Sequence, residues 1–261
     1  MIKDKLDRQF EYLRISVTDK CNFRCIYCMP KEIFGSKHQF LKKNELLTYE
    51  EIIEVAKTLK PFGLKKIRLT GGEPLLRKNI EYLVEGLKKE ALIDKVMITT
   101  NGSLLTKEKL VSLKKGGLDS VTISLDASSQ KVGNIINPVN NNHVLVSEAI
   151  DNVITIFNSV KVNMVVIKGI NDIEIIPMLE KFIDKNVELR FIEYMDVGES
   201  NNWSLNNVFT SKETKDLIKN YFSFKKLPDL IDSTSEKWSI SGHALNIAFI
   251  SSISKPFCSE C

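Results

Sequence analysis

Residues 13–30 read LRISVTDKCNFRCIYCMP, a strand-like segment that runs into a triplet of cysteines. Cys21, Cys25 and Cys28 have the spacing C-x3-C-x2-C, so three thiols belong to one short loop. A structural zinc site takes four ligands in a closed tetrahedron. A cluster of four irons and four sulfides is usually held by four thiolates as well. Three thiolates therefore leave one iron with an open coordination position, where a reactive ligand can bind.

The triplet alone leaves other interpretations open. A zinc ion completed by a distant histidine would use the same three thiolates, and buried cysteines without any metal are common in protein cores. We favour the iron–sulfur cluster, because three thiolates this close in sequence can surround a compact inorganic core.

The other cysteines support a metal role. Cys258 and Cys261 form a C-x2-C pair at the end of the sequence, which brings the total to five. Disulfide frameworks usually occur in small secreted folds with an even number of cysteines. An odd, clustered set in a chain of 261 residues indicates metal ligation in a reducing compartment. We therefore predict a cytoplasmic protein.

The overall composition excludes several classes. With 43% hydrophobic residues, the chain can bury a full core. A net charge of +4 is only mildly basic and the basic residues are scattered, so a small anionic substrate is at least as compatible as a nucleic acid. No apolar run approaches the roughly 20 residues of a membrane helix, and no signal peptide is visible at the start.

Strand-like and helix-like segments alternate about six times along the first two hundred residues. The predicted strands are Phe10–Val17, Lys66–Thr70, Lys95–Thr100, Ser120–Leu125, Lys161–Lys168 and Glu188–Met195. The predicted helices between them are Thr48–Leu59, Asn79–Leu92, Thr106–Lys115, Val146–Phe157 and Asp172–Lys185. Such alternation predicts a parallel sheet with crossover helices. Six units are too few for a closed eight-fold barrel, so an open barrel and a doubly wound sheet both fit.

Two segments break this alternation. Asn137–His143 is polar and predicts a surface loop, and after Gly198 the pattern stops. Residues 199–261 combine a helix candidate, Ser211–Tyr221, with short strands such as Ala244–Ile250. We predict one domain over residues 1–198 and a C-terminal α+β extension over 199–261 that carries Cys258 and Cys261.

Chemistry-bearing residues follow the predicted strands, where parallel α/β folds place their sites. The cysteine loop follows the first strand, Gly71-Gly72-Glu73-Pro74 the second and Thr99-Thr100-Asn101-Gly102 the third. Glycine at 71 and 72 allows backbone to approach a ligand, although a tight turn explains the pair equally well.

At this point the sequence resembles a known family. The C-x3-C-x2-C spacing with Tyr27 directly before the third cysteine is similar to the signature of the radical S-adenosylmethionine (SAM) superfamily. With Leu13-Arg14-Ile15-Ser16 ahead and Met29-Pro30 behind, it resembles the branch that acts on GTP in the first step of molybdenum cofactor biosynthesis. This resemblance implies the open, six-unit (β/α) partial barrel.

The resemblance also implies which residues bind each ligand. Cys21, Cys25 and Cys28 would hold a 4Fe–4S cluster, and the positions matching SAM contacts are Tyr27, Gly72, Ser124 and Met195. The positions matching GTP contacts are Arg14, Arg68, Thr99 and Lys161. From the residues alone, Tyr27 and Met195 could equally fill a core, Ser124 could simply end a strand, and Arg14, Arg68 and Lys161 could face outward or pair with nearby acids.

Cys258 and Cys261 match the first two ligands of a second 4Fe–4S cluster. The family pattern continues with a third cysteine, a basic R-x-R segment that contacts GTP and a Gly-Gly tail, whereas this sequence ends at Cys261. Either the sequence is part of a longer chain or the second site is incomplete, and this puts turnover in doubt, not the first cluster.

The implied reaction uses no catalytic side chain beyond the cluster and SAM. Reductive cleavage of SAM would give a 5'-deoxyadenosyl radical that attacks the ribose of GTP, yielding 3',8-cyclo-7,8-dihydro-GTP. The implied partner is the downstream cyclic pyranopterin monophosphate synthase, with a homodimer possible in principle and the electron donor left open. Two alternatives are a radical SAM maturase acting on a peptide and an inactive iron–sulfur-binding module.

Overall fold

The computed structural model describes residues 2–5, 7–139, 143–197, 202–228 and 234–255. Its strands and helices are, in chain order, β1 (Tyr12–Ser16), α1 (Tyr49–Leu59), β2 (Lys66–Thr70), α2 (Ile80–Lys89), β3 (Lys95–Thr100), α3 (Lys107–Lys115), β4 (Ser120–Ser124), α4 (Gln130–Ile136), α5 (His143–Ile156), β5 (Val160–Val166), α6 (Ile175–Phe182), β6 (Glu188–Glu193), α7 (Ser211–Lys219), β7 (Phe224–Lys226), β8 (Glu236–Ile240) and β9 (Asn246–Ile250). The predicted alternation of strands and helices is therefore confirmed.

Packing divides the chain into two compact units. The first comprises residues 1–22, 39–123 and 144–160, and the second comprises residues 23–38, 124–143 and 161–261. Within the described residues, none of the helices combines the length and the apolar character needed to cross a bilayer.

The first unit contains a parallel sheet of β1, β2, β3 and β4 in chain order. Alternate residues of a strand point to opposite faces, so the register sorts the side chains into an apolar face and a polar face. The apolar face includes side chains without measurable exposure, namely Ile67, Leu69, Val96, Ile98, Val121 and Ile123. The polar face carries two pairs of register neighbours, Arg14 with Arg68 and Thr99 with Thr122. An α/β sheet needs an apolar face against its helices, and the polar face is thus available for ligands.

Helix boundaries in this unit follow local sequence signals. The Thr48 hydroxyl accepts a hydrogen bond from the Glu51 N–H, and the Glu51 carboxylate accepts one from the Thr48 N–H, and together they form a capping box at the start of α1. The Thr106 hydroxyl caps α3 in the same way through the Lys109 N–H. After α3, Gly117 has a φ of +99°, a backbone conformation that favours glycine.

The second unit contains β5, β6 and β9 in parallel, and β8 and β7 continue the sheet antiparallel. Its core is aromatic at the centre: Phe182, Phe191 and Phe249 are fully buried, and the rings of Phe191 and Phe249 stack with centroids 5.9 Å apart. On the opposite face of β5 and β6, Lys161 is the register partner of Glu188, and Asn163 is the register partner of Arg190.

Residues 137–139 have neither helix nor strand, in agreement with the predicted surface loop, but Asn137 itself is buried. Asn137 is only 4% exposed, because it ends α4 and its Oδ1 accepts a hydrogen bond from the Arg24 N–H at 2.8 Å. His143 begins α5, and residues 140–142 lie outside the described ranges. The sequence offered no helical periodicity long enough to predict the seven residues of α4.

Candidate active site

The Gly71-Gly72 turn after β2 packs tightly against the backbone that leads to the cysteines. A Cβ atom at Gly71 would lie 2.3 Å from the Thr18 carbonyl oxygen, and one at Gly72 would lie 2.2 Å from the Lys20 carbonyl oxygen. The Gly72 N–H donates to the Thr18 oxygen at 2.7 Å, and the Glu73 N–H donates to the Lys20 oxygen at 2.8 Å. Glycine is therefore required here to bring the turn against residues 18–20, directly before Cys21.

Glu73 holds this turn to the end of β3. Its carboxylate is 1% exposed and accepts hydrogen bonds from the Thr100 hydroxyl at 2.7 Å, the Asn101 N–H at 2.7 Å and the Leu75 N–H at 3.0 Å. Burial raises the pKa of Glu73, although the three hydrogen bonds oppose the shift. Glu73 therefore fixes the turn after β2 to the end of β3.

Cys25 and Cys28 lie in a hydrogen-bonded turn of the second unit. The Cys28 N–H and the Met29 N–H both donate to the Cys25 carbonyl oxygen, at 3.0 and 2.9 Å. Cys25 is partly buried and Cys28 is exposed. Arg24 anchors the start of the turn, since its Nε donates to the Phe34 carbonyl oxygen at 2.6 Å. The thiols are thus carried by backbone that is fixed by its own hydrogen bonds.

Tyr27, in the same turn, is held by Asp126. The Tyr27 hydroxyl donates to Asp126 Oδ2 at 2.9 Å, and the Val165 N–H donates to Asp126 Oδ1 at 2.9 Å. Burial raises the pKa of Asp126 to about 6, against the lowering effect of these two hydrogen bonds. Burial and the Asp126 charge raise the pKa of Tyr27 well above its usual value. Tyr27 therefore remains a neutral hydrogen-bond donor at any physiological pH.

The polar face of the first unit contains a buried arginine with neutral partners. Arg68 is 8% exposed, and its Nε donates to the Tyr12 hydroxyl at 2.5 Å. Its Nη1 donates to the hydroxyls of Thr99 at 3.1 Å and Thr122 at 2.9 Å, and its Nη2 lies 3.3 Å from the Met97 sulfur. Within the part of the chain that the structure describes, no carboxylate pairs with Arg68. A buried guanidinium without a counter-charge is costly, so this position is suited to an anionic ligand.

Arg14 is the register neighbour of Arg68 and is exposed at the same face. Two guanidinium groups side by side on adjacent strands repel each other, and a shared anion relieves that repulsion. The first unit thus brings together three of the four predicted GTP residues, Arg14, Arg68 and Thr99.

The fourth, Lys161, lies in the second unit at the start of β5 and is partly buried. Glu188 beside it is paired with Arg190 and with Lys237 Nζ at 2.9 Å. Burial alone would raise the pKa of Glu188, but the charges of Arg190, Lys237 and Lys161 outweigh it and lower the pKa. Three cationic side chains therefore act on the one carboxylate of Glu188.

The remaining predicted SAM positions lie at or just after the ends of strands. Ser124 ends β4, Met195 follows β6 by two residues, and both are partly buried. Of the predicted metal ligands, Cys258 and Cys261 lie outside the described residues. Across the described ranges, no three histidine, cysteine or acidic side chains are grouped closely enough to hold one metal ion.

The donor set nevertheless fits an iron–sulfur cluster. Thiolates are the ligands that such clusters take, and the loop offers three of them. The Asn101 amide also directs an N–H at the Cys21 sulfur over 3.9 Å, a contact of the kind that supports a metal-bound thiolate. The residue type and the spacing of the three cysteines are therefore compatible with a cluster, although the described residues contain no preformed group of metal-ligating side chains.

Comparison with known proteins identifies the family. The family described as "Radical SAM superfamily" matches residues 15–182, and the one described as "Molybdenum Cofactor Synthesis C" matches residues 187–261. A GTP 3',8-cyclase from Staphylococcus haemolyticus (strain JCSC1435) is 45% identical over 261 residues, which are all of this chain and 76% of that protein. This chain belongs to the GTP 3',8-cyclase family of the radical SAM superfamily. The member from Staphylococcus aureus (strain JH9) is 44% identical with the same coverage.

Solved structures of other proteins have a fold similar to that of this GTP 3',8-cyclase family member. Streptococcus suis SuiB bound to S-adenosylmethionine is 17% identical with a TM-score of 0.69, covering 92% of this chain and 50% of that one. Methylornithine synthase (PylB) is 17% identical with a TM-score of 0.60, covering 81% of this chain and 62% of that one. At such identity the likeness concerns the fold alone, and it confirms the predicted α/β class with its parallel strand–helix units.

Sequence reasoning missed the residues that support the predicted ones. Tyr12 and Thr122 hold the Arg68 guanidinium, and Asp126 holds Tyr27. A two-residue period from Arg14 would have placed Tyr12 on the same face of β1. The Tyr27–Asp126 contact spans 99 residues of sequence, so no local pattern could have revealed it.

Proposed function

We propose that this enzyme converts GTP to 3',8-cyclo-7,8-dihydro-GTP, using SAM and a 4Fe–4S cluster, in the first step of molybdenum cofactor biosynthesis. The observation that carries the proposal is Arg68, a buried guanidinium with only neutral partners among the described residues, beside the exposed Arg14. A planar guanidinium matches phosphate oxygens in geometry as well as charge. A nucleoside triphosphate would supply the anion that this face lacks.

Each predicted residue has a role in this proposal. Cys21, Cys25 and Cys28 ligate the cluster, and Tyr27, Gly72, Ser124 and Met195 contact SAM. Gly72 suits that role because a residue without a Cβ atom lets its backbone carbonyl oxygen approach a ligand amine closely. Arg14, Arg68, Thr99 and Lys161 contact GTP, with the two arginines and the lysine neutralising phosphate charge.

When bound, the cluster and SAM would supply the one-electron chemistry that removes hydrogen from a ribose carbon. The side chains described here bind and orient the two nucleotides. Thr99 and Thr122 keep the Arg68 fork in one orientation, so little side-chain entropy is lost when phosphate binds. Tyr27 and Asp126 fix the turn that carries Cys25 and Cys28.

Further parts of the proposal rest on the family and on cysteine usage. Cys258 and Cys261 contribute to a second 4Fe–4S cluster, and the product passes to a cyclic pyranopterin monophosphate synthase. We place the domain division between residues 198 and 199 and the protein in the cytoplasm. A homodimer stays a prediction, and the electron donor is not identified. We expect no nucleic acid or membrane partner.

Anaerobic reconstitution tests the proposal. The wild-type protein should bind iron and sulfide, change its electron paramagnetic resonance spectrum on addition of SAM, and release 5'-deoxyadenosine under dithionite. The Cys21→Ala variant should lose SAM cleavage at least a hundredfold, because a cluster with two thiolates from this loop is held poorly. Cys258→Ala serves as the matched control and should retain SAM cleavage.

The outcomes separate the alternatives. A preparation that binds only zinc, or a Cys21→Ala variant that still cleaves SAM, contradicts the proposal. GTP binding that depends on Arg68 favours the cyclase over a radical SAM maturase acting on a peptide. A wild-type protein that binds iron without cleaving SAM would be the inactive iron–sulfur module.

A further inference from the structure

Asn101, which follows β3, lies beside the first cysteine of the triplet within the first unit. Its Nδ2 is 3.9 Å from the Cys21 sulfur and 2.9 Å from Asn22 Oδ1. The sequence alone gave no separate role to Asn101, which is the third residue of the Thr99-Thr100-Asn101-Gly102 segment.

The orientation of the Asn101 amide is determined by its surroundings. Its Oδ1 accepts a hydrogen bond from the Ser103 N–H at 3.0 Å. A backbone N–H can only donate, so the oxygen of the amide must face Ser103 and the nitrogen must face Cys21. The Ser103 hydroxyl donates to the same oxygen at 2.7 Å and accepts from Asn22 Nδ2 at 2.9 Å, which makes the arrangement self-consistent.

All hydrogen-bonding positions of this amide are thereby accounted for. Both lone pairs of Oδ1 are used by Ser103, one N–H of Nδ2 is used by Asn22, and the other points at the Cys21 sulfur. The Asn101 backbone is fixed as well, because its N–H donates to the buried Glu73 carboxylate at 2.7 Å. The donor aimed at Cys21 is therefore rigid before any cofactor binds.

We propose that the Asn101 side-chain amide donates a hydrogen bond to the Cys21 thiolate in the loaded enzyme and raises the reduction potential of the bound cluster. The inference rests on the proposed function, which makes Cys21 a cluster ligand. Hydrogen bonds to ligand sulfurs withdraw charge from the cluster and stabilise its reduced, more negative state. Asn101 thus controls how readily an external one-electron donor reduces the cluster before SAM cleavage.

The test is a redox titration of the reconstituted protein, with the reduced cluster followed by electron paramagnetic resonance. The Asn101→Ala variant should show a lower midpoint potential than the wild type. At a fixed ambient potential, its ratio of reduced to oxidised cluster should fall roughly threefold. For a one-electron couple at 59 mV per decade, this corresponds to a midpoint potential that is lower by about 28 mV. Asn101→Asp keeps the size and the acceptor toward Ser103 but places an oxygen at the thiolate, so its potential should fall further.

Ser103→Ala is the matched control. It removes the hydroxyl contacts to Asn101 and Asn22 but keeps the Ser103 backbone N–H that orients the amide. We expect Ser103→Ala to keep the wild-type potential even if it lowers the melting temperature. A purely structural role of Asn101 would instead make the Ser103 and Asn101 variants alike in both measurements.

The outcomes are separable from those of the proposed function. If the wild type holds no cluster that responds to SAM, the proposed function fails and the inference fails with it. If the wild type responds but Asn101→Ala and Asn101→Asp both keep its potential, the inference alone is wrong. Should Asn101→Ala fail to bind iron, the Asn101→Asp variant, which retains the turn, decides the question.

Discussion

Arg68 links stability and function at the scale of one residue. Its charge is buried against hydroxyl and thioether groups, an arrangement that lowers stability until an anion binds. The Arg68→Met variant should therefore melt at the same or a higher temperature than the wild type without ligand. Its affinity for GTP should fall roughly 10- to 100-fold, since hydrogen bonds to a charged group contribute about 1.5–3 kcal/mol. Thermal melting with and without GTP measures both effects.

Arg77→Met is the control for this experiment. Arg77 Nη1 donates to the carbonyl oxygens of Val17 at 3.1 Å and Leu47 at 2.8 Å, and its guanidinium stacks on the Tyr49 ring. These contacts are structural, so Arg77→Met should lower the melting temperature and keep the GTP-induced shift. The assignment of Arg68 to phosphate binding is wrong if the two variants show the same pattern.

The role of a residue was predictable from the sequence where the chemistry depends on that residue type alone. The cysteine spacing, the glycine pair and the strand arginines follow from the sequence because each has a recognisable residue type at a recognisable place. The contacts of Tyr27 with Asp126 and of Arg68 with Thr122 join positions far apart in the chain. Such contacts depend on how whole helices and strands pack, so patterns in a single sequence do not predict them.

Glu193 organises three segments of the second unit at the scale of elements. This residue is 2% exposed, and its carboxylate accepts from the Ser211 N–H at 2.6 Å, the Ile253 N–H at 2.9 Å, and the Ser254 N–H and hydroxyl at 2.8 and 2.6 Å. It thereby joins the end of β6 to the start of α7 and to residues 253–254. Burial alone would raise the pKa of Glu193, but these hydrogen bonds outweigh it and lower the pKa.

The Glu193→Gln variant should lose about 1.5–3 kcal/mol of stability at pH 7, because one acceptor oxygen is replaced by an amide that cannot accept. Since the folded-state pKa lies below the unfolded value of 4.5, the carboxylate contributes its full stability above pH 4.5. The difference between wild type and variant should therefore shrink as the pH falls below 4.5. Urea denaturation across this pH range measures it.

Glu148→Gln on the exposed face of α5 is the control and should change stability by less than about 0.5 kcal/mol. A difference between wild type and Glu193→Gln that persists unchanged well below the folded-state pKa would mean that the carboxylate charge is not the stabilising feature.

Element boundaries were predictable to different degrees. The capping box at Thr48 and the hydroxyl cap at Thr106 fixed the starts of α1 and α3, since both signals are local. The short strands β7 and β8 have no such signal and depend on neighbouring strands for stability, and α4 has a hydroxyl cap at Ser129 but only seven residues. The burial of Asn137 within the predicted surface loop could not be foreseen, because its partner Arg24 lies in a distant segment.

Cluster binding and folding should be separable for the whole molecule. Cys21 and Cys25 are partly buried, Cys28 is exposed, and the described core is built from aliphatic and aromatic side chains of the helices and strands. Protein stripped of iron by a chelator under reducing conditions should therefore keep its far-ultraviolet circular dichroism and a cooperative melt. Limited proteolysis should cut the stripped protein first between residues 23 and 40, where the chain has no helix or strand.

A stripped protein that loses its helical signal would show that the metal drives folding, as in small zinc domains. The iron-loaded sample, digested in parallel, provides the reference pattern.

The crowded pair Gly71 and Gly72 limits how this enzyme can be redesigned. Any side chain at either position would collide with carbonyl oxygens of the main chain, which cannot swing aside as a flexible side chain does. Efforts to retarget the enzyme to other nucleotides should therefore leave this turn untouched. Variation belongs instead on the polar sheet face around Arg14 and Thr99, where side chains alone define the surface.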